Sequence, residues 1–212
     1  MDNHYPPWNN KRKIKARTTI ITICKTLLGY DCIPFDKQYI TVCGKCTDAN
    51  GNFLNECEPD QLIKDGFIRP EQYVGIDVNR QYIQDNYNAR KDLKWICSDF
   101  NEAINEMVCK DEYRAEIINF DWVQMPDEGT KALSTLLALI SGTNTKIVIA
   151  NFMLNNPHSK LEVESDRVVN ELVNNDLYLY AARKDKWTYY PEAYLYSINM
   201  KTLMETIILH KL

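Results

Sequence analysis

The chain has 212 residues, of which 45% are apolar and 25% are charged, and its formal net charge is −4. This length suits one α/β domain with a sizeable core and is short for two. The negative charge and a pI of about 5.5 argue against a nucleic-acid binder that relies on overall charge. No apolar run approaches the ~20 residues that a membrane-spanning helix needs, so we expect no membrane contact.

The cysteines and the amino-terminal sequence bear on the cellular compartment. Seven cysteines are an odd number, and they are scattered through predicted strands and helices. That distribution fits a reducing compartment better than a disulfide-stapled secreted fold. Residues 1–4, MDNH, do not resemble the start of a signal peptide. We therefore expect a cytoplasmic protein.

Residues 1–37 are predicted to form an amino-terminal arm followed by a helix. The first nine residues contain two prolines and no periodic pattern, which favours an extended arm. A predicted helix follows over residues 10–29 and ends at Gly29. Its first turns hold a basic cluster that consists of Lys11, Arg12, Lys13, Lys15 and Arg17. The cluster could contact the phosphates of a nucleic acid, although a solvated helix end is the simpler interpretation.

Residues 38–212 alternate between predicted strands and helices. Strands are predicted at residues 38–42, 73–77, 93–97, 115–120 and 146–152. Helices are predicted at residues 58–65, 79–90, 101–108, 131–140 and 165–174. The last predicted strands, at residues 177–182, 194–200 and 206–210, have no crossover helix between them and should pair antiparallel. The pattern predicts one Rossmann-like α/β domain with a mostly parallel sheet, helices on both faces and an antiparallel C-terminal hairpin.

Acidic residues stand at the ends of three consecutive predicted strands, namely Asp77, Asp99 and Asp121. In nucleotide-binding α/β folds, a carboxylate after the second strand commonly accepts hydrogen bonds from a ribose. A strand-end Asp can instead cap the following helix, and this alternative applies to Asp77 and Asp99. No predicted helix directly follows Asp121, which makes it the best candidate for a catalytic or substrate-contacting carboxylate.

The parallel sheet, its antiparallel end and these acidic positions resemble the class I S-adenosylmethionine-dependent methyltransferase fold over roughly residues 38–210. The resemblance implies that Asp77 binds the ribose of S-adenosylmethionine, with Val78 beside it in the cofactor site. It also implies that Asp99 contacts the adenine and that Phe100 packs on the adenine ring. The implied activity is a methyl transfer, which depends on positioning the acceptor against the sulfonium.

The resemblance also implies that the segment after the fourth strand is functional, with Asp121 and Trp122 as the catalytic candidates. Nucleic-acid amino-methyltransferases have an (Asp/Asn)-Pro-Pro-aromatic motif at this place. Here Asp121 is followed by Trp122 and Val123, without the prolines. An adenine or cytosine amino group is therefore not supported as the acceptor by this motif, and a nucleic-acid substrate is indicated only by the basic cluster and by analogy.

The turn after the first strand departs most from the family pattern, which is an acidic residue followed by Gly-x-Gly. Gly44 matches the first glycine, Cys46 replaces the second, and Val42 replaces the acid. A Cβ at Cys46 disfavours left-handed backbone angles and narrows the cleft. Two hypotheses stay open: an active methyltransferase that holds its cofactor with Gly44, Asp77 and Asp99, or a catalytically inactive interaction or structural module of the same fold.

Cys43 and Cys46 form a Cys-x-x-Cys pair with two further interpretations. A thioredoxin-like redox pair should open a helix, whereas the residues that follow Cys46 predict a turn around Asn50-Gly51. A zinc site would need Cys32 and Cys57 as additional ligands, and the chain has no second Cys-x-x-Cys. The favoured interpretation is two small residues lining a tight turn, with no metal.

Overall fold

The computed structural model describes residues 11–122, 126–154, 185–189, 194–199 and 202–211. The predicted arm at residues 1–9, the predicted helix at residues 165–174 and the predicted strand at residues 177–182 lie outside these ranges. None of the helices in the described ranges is long and apolar enough to cross a membrane.

The described helices are α1 (Lys11–Leu28), α2 (Glu58–Lys64), α3 (Arg80–Ala89), α4 (Phe100–Cys109) and α5 (Pro126–Leu139). The described strands are β1 (Gln38–Val42), β2 (Tyr73–Asp77), β3 (Lys94–Cys97), β4 (Ala115–Trp122), β5 (Ile147–Leu154), β6 (Trp187–Tyr189), β7 (Tyr194–Asn199) and β8 (Thr202–Lys211). β1 and β2 have the predicted bounds. α5 begins five residues earlier than predicted, at a proline, which is favoured in the first turn of a helix. The short strand β6 was not predicted.

These strands form one sheet in the order β3-β2-β1-β4-β5-β8-β6, in which β7 also pairs with β8. β1 to β5 are parallel, whereas β8 runs antiparallel to β5 and also to β6 and β7. The predicted fold class, with its antiparallel C-terminal hairpin of β7 and β8, is confirmed. Strand order reverses between β1 and β4, so the carboxyl ends of these two strands flank the crevice where α/β sheets commonly bind ligands.

Helices cover both faces of the sheet because side chains alternate along each strand. Ile118 and Phe120 of β4 are fully buried in a core that includes residues of α4 and α5. Ile117 of the same strand belongs to the opposite core, which includes residues of α1 and α2. The candidate site described below lies on this second face.

α1 runs from the carboxyl edge of the sheet toward its amino edge. Near its start, the side chain of Gln61 in α2 donates to the carbonyl oxygen of Ile14 over 3.0 Å. Beyond its end, the Tyr30 hydroxyl donates to Glu116, the second residue of β4. The predicted helix is confirmed, and Gly29 follows its last residue with a φ of +73°. The basic cluster at the start of α1 therefore lies toward the carboxyl edge of the sheet.

Candidate functional site

The side chain of Asn86 in α3 holds the chain that follows β1. Its amide nitrogen donates to the carbonyl oxygen of Gly44 over 3.0 Å, and its amide oxygen accepts from the backbone N–H of Cys46 over 2.8 Å. Asn86 is fully buried. Lys45, between the two bonded residues, forms an ion pair with Asp85 at 3.1 Å. The turn is thus fixed by α3 and not by a second glycine.

Gly44 and Cys46 have different places in this turn. Gly44 is exposed, and a Cβ added to it would meet no atom within 4 Å. The expected strain at Cys46 is absent, because Cys46 is not among the described non-glycine residues with positive φ. Its thiol is buried, and the hydrogen bond to Cys57 and burial raise its pKa well above the ordinary value. The Cys46 thiol also lies 3.7 Å from the carbonyl oxygen of Gly44, so it packs inside the turn.

The cysteines near this turn do not make a recognisable metal centre. Cys43, Cys46 and Cys57 are buried, whereas Cys32 is exposed and lies beside Tyr30, at the other end of α1. Burial raises the pKa of Cys43 well above its ordinary value, which disfavours a reactive thiolate for redox chemistry. Within the described ranges, no group of three or more His, Cys, Asp or Glu side chains is arranged to hold a metal ion.

Asp77 ends β2 and is not the cap of the helix that follows. The cap of α3 is Asn79, whose side chain accepts from the backbone N–H groups of Gln81 and Tyr82. Oδ1 of Asp77 accepts from the N–H of Asn79 over 2.7 Å, and its other oxygen has no hydrogen-bond partner in the described ranges. Burial raises the pKa of Asp77 above its usual value. Asp77 therefore offers a half-buried oxygen that can accept a hydrogen bond from a ligand.

Val78 extends the same edge with an apolar side chain that is 70% exposed. An exposed aliphatic side chain next to a half-buried carboxylate suits a ligand with an apolar ring and a hydroxyl-bearing sugar. Together with the open space at Gly44, these two residues fit the adenosine portion of S-adenosylmethionine.

Asp99 adopts the helix-capping alternative, and Phe100 differs from the expectation. Asp99 caps α4, because its Oδ1 accepts from the N–H groups of Asn101 and Glu102 over 2.9 and 3.2 Å. Phe100 is only 4% exposed, and its ring meets Phe120 edge-on at 5.6 Å between centroids. The ring packs in the core between α4 and the sheet, so it is not available to stack on an adenine.

Asp121 and Trp122 are the last two residues of β4. Oδ1 of Asp121 is buried and accepts no hydrogen bond in the described part of the chain. A buried carboxylate oxygen without a partner is costly, so a ligand group that donates a hydrogen bond would stabilise it. The backbone of Asp121 lies opposite Asn151 of β5.

A set of hydrogen bonds centred on Glu58 crosses the face of the sheet that α1 and α2 cover. We call it the Glu58 cluster. Oε1 of Glu58 accepts from Tyr39 over 2.9 Å and from the Asn119 side chain, and Oε2 accepts from Thr41 over 2.9 Å. Asn119 in turn accepts from Asn151 over 3.0 Å, and Thr206 of β8 donates to Asn151 over 2.5 Å. The cluster comprises Tyr39, Thr41, Glu58, Asn119, Asn151 and Thr206.

The sequence pattern by itself does not single out Glu58 and Asn86 as site residues. Each lies in a predicted helix where a polar residue normally faces solvent, and each bonds to residues at least 17 positions away. Burial raises the pKa of Glu58, while Arg17 and the donors of the cluster act in the opposite direction. One feature of the sequence could have pointed to Glu58. The end of β1 has no acidic residue, so a carboxylate from another helix or strand could take its place.

Comparison with known proteins shows similarity of structure without similarity of sequence. No family model and no curated protein matches the chain. Magnesium protoporphyrin IX methyltransferase from Synechocystis PCC 6803, solved with bound S-adenosylmethionine, matches with a TM-score of 0.54 and 7% identity over 98% of this chain and 88% of its own.

Two further solved structures are similar to this chain at a comparable level. The methyltransferase domain of bacterial CtHen1-CN has a TM-score of 0.51 and 12% identity, over 92% of this chain and 97% of its own. The 16S rRNA (adenine(1408)-N(1))-methyltransferase from Catenulisporales acidiphilia has a TM-score of 0.50 and 10% identity, over 94% of this chain and 91% of its own. Together with the strand order, these similarities show that the chain has the class I S-adenosylmethionine-dependent methyltransferase fold.

Replacing Asn86 by Ala should loosen the turn after β1. The substitution removes the partner of the Cys46 N–H and leaves the Gly44 carbonyl with only the weak thiol donor of Cys46, so we expect a loss of about 1–3 kcal/mol in the free energy of unfolding. Hydrogen exchange at the Cys46 amide should accelerate more than exchange in β4. The control is Asn88→Ala on the exposed side of α3, which should change neither quantity. If the two variants had the same free energy of unfolding and the same exchange rate at the Cys46 amide, Asn86 would not be what holds the turn.

Proposed function

We propose that the chain is an S-adenosylmethionine-dependent methyltransferase. The observation that supports this most is Asp77, a half-buried carboxylate with an oxygen free of partners in the described ranges, at the end of the strand that pairs with β1 in a methyltransferase fold. A carboxylate that served only as a helix cap would bond to the N-terminal turn of α3, and Asn79 does so instead.

The proposed cofactor contacts follow from the side chains at this edge. Asp77 would accept hydrogen bonds from the ribose hydroxyls, and Val78 would pack against the adenine. The backbone at Gly44 would approach the ligand, since no atom occupies the space where a Cβ would be. Asp99 keeps one carboxylate oxygen outside its capping bonds and would contact the adenine.

Asp121 would act on the methyl acceptor. When bound, S-adenosylmethionine supplies an electrophilic methyl group on a sulfonium. Asp121 would accept a hydrogen bond from an N–H or O–H of the acceptor through its unpaired oxygen, orient that group and take up its proton. Trp122, the next residue of β4, remains a catalytic candidate from its position alone.

The alternative function is an inactive module that keeps the fold for interaction or structural purposes. Val42 favours it, because the family pattern has an acid at this position. The core packing of Phe100 favours it as well, because one expected adenine contact is lost. Direct measurement of ligand binding separates the two functions.

Asp77→Asn should weaken the binding of S-adenosylhomocysteine, measured by isothermal titration calorimetry. Hydrogen bonds to a charged group contribute about 1.5–3 kcal/mol, so we expect roughly a 10- to 100-fold higher Kd. The matched control is Asp111→Asn, a 94% exposed carboxylate in the loop before β4, which should bind like the wild type. No heat from the wild-type protein at high micromolar ligand would contradict the enzyme function and favour the inactive module.

A nucleic acid is the acceptor class that we propose from the start of α1. Lys11 and Lys15 are exposed there, and this end of α1 lies toward the same edge of the sheet as Asp77 and Asp121. A polyanion bound at these lysines could reach the carboxyl ends of the strands.

The double substitution Lys11→Glu and Lys15→Glu tests this acceptor class with a fluorescein-labelled RNA oligonucleotide. Losing two phosphate contacts should reduce the slope of log affinity against log salt by about 2. The control places the same charge change at the exposed residues Lys91 and Lys94, before and at the start of β3. Identical slopes for both double variants would rule out this surface as the nucleic-acid site.

A further inference from the structure

Glu58 lies at the strand-order reversal, between the two strands that flank the expected ligand crevice. It is the first residue of α2, and its carboxylate accepts hydrogen bonds from Tyr39 and Thr41 of β1 and from Asn119 of β4. Ligands of open α/β sheets bind outside the carboxyl ends of the strands at such a reversal. Glu58 as a residue is partly exposed.

The Glu58 cluster leaves one oxygen of the carboxylate with spare capacity. An ionised carboxylate offers about four acceptor sites. In the described ranges Oε1 accepts two hydrogen bonds and Oε2 accepts one, from the Thr41 hydroxyl. Oε2 therefore has the capacity to accept a further hydrogen bond without displacing a bond of the cluster.

The charge of Glu58 suits a cationic ligand. Burial raises the pKa of Glu58, whereas Arg17 and the three neutral side chains that donate to the carboxylate favour its ionised form. A positively charged ligand group at Oε2 would stabilise the ionised carboxylate further.

The place of Glu58 also matches what β1 lacks. Val42 stands where an acid is expected at the end of β1, and Thr41, the residue before it, donates to Glu58. Asp77 at the end of β2 is the residue proposed to hold the adenosine portion of the cofactor. The remaining charged portion, which carries the ammonium group, would then be held by residues at the carboxyl ends of β1 and β4.

We infer that Glu58 binds the ammonium group of the cofactor's methionine portion, as a carboxylate that α2 supplies in place of the acid missing from β1. This inference rests on the proposed function. It adds a binding residue that lies outside the turn after β1 and outside the acidic strand ends.

The test compares two ligands that differ in this portion. S-adenosylhomocysteine contains the ammonium group, whereas 5′-methylthioadenosine has the same adenosine and thioether without the amino-acid portion. Glu58→Gln should raise the Kd for S-adenosylhomocysteine about 10- to 100-fold and leave the Kd for 5′-methylthioadenosine within twofold of the wild type. Asp77→Asn should raise the Kd for both ligands. Glu106→Gln, an exposed carboxylate paired with Lys110, is the matched control and should affect neither.

Several outcomes would overturn the inference. One is an unchanged affinity of Glu58→Gln for S-adenosylhomocysteine, and another is an equal loss for both ligands, which would indicate a structural role. Should Glu58→Gln fail to fold, the desamino analogue of S-adenosylhomocysteine provides the same comparison on the wild-type protein. The inference would be contradicted if the desamino analogue bound as tightly as S-adenosylhomocysteine. If the wild type binds neither adenosine ligand, the proposed function itself fails.

Discussion

The hydrogen bonds that Glu58 receives from β1 and β4 join the two strands between which the order of the sheet reverses. Reversal of strand order opens a crevice, because the connections leaving β1 and β4 run to opposite faces. A carboxylate bonded to both strands from the start of α2 fixes the floor of that crevice. Asn119 extends the bonding to Asn151 of β5, so the floor continues across the sheet.

The turn after β1 is held at both ends by side chains from outside it. Asn86 bonds to Gly44 and Cys46 near its beginning, and Glu58 anchors the first turn of the next helix. A turn positioned in this way does not require the left-handed backbone that a second glycine would supply. Side chains from α3 and α2 thus support the turn without a second glycine, and no atom lies within 4 Å of the place where a Cβ of Gly44 would be.

Features that depend on neighbouring residues in the sequence were predictable. Side-chain roles that depend on partners far away in the sequence were not. β1 and β2 have their predicted bounds because short apolar, β-branched runs flanked by polar residues suit buried strands. Asp77 was predicted from its place at a strand end, whereas its freedom from capping depends on Asn79, two residues on. The orientation of Phe100 depends on Phe120 across the core, and the role of Glu58 depends on β4, which begins 57 residues later in the chain.

The central claim is that the carboxyl ends of β1, β2 and β4 form an S-adenosylmethionine site. A crystal structure of the protein grown with S-adenosylhomocysteine tests it most directly. We expect ligand density across the ends of β1 and β4, with the ribose hydroxyls within hydrogen-bond distance of the Asp77 carboxylate. Density at another surface, or a crevice that stays empty at saturating ligand, would contradict it.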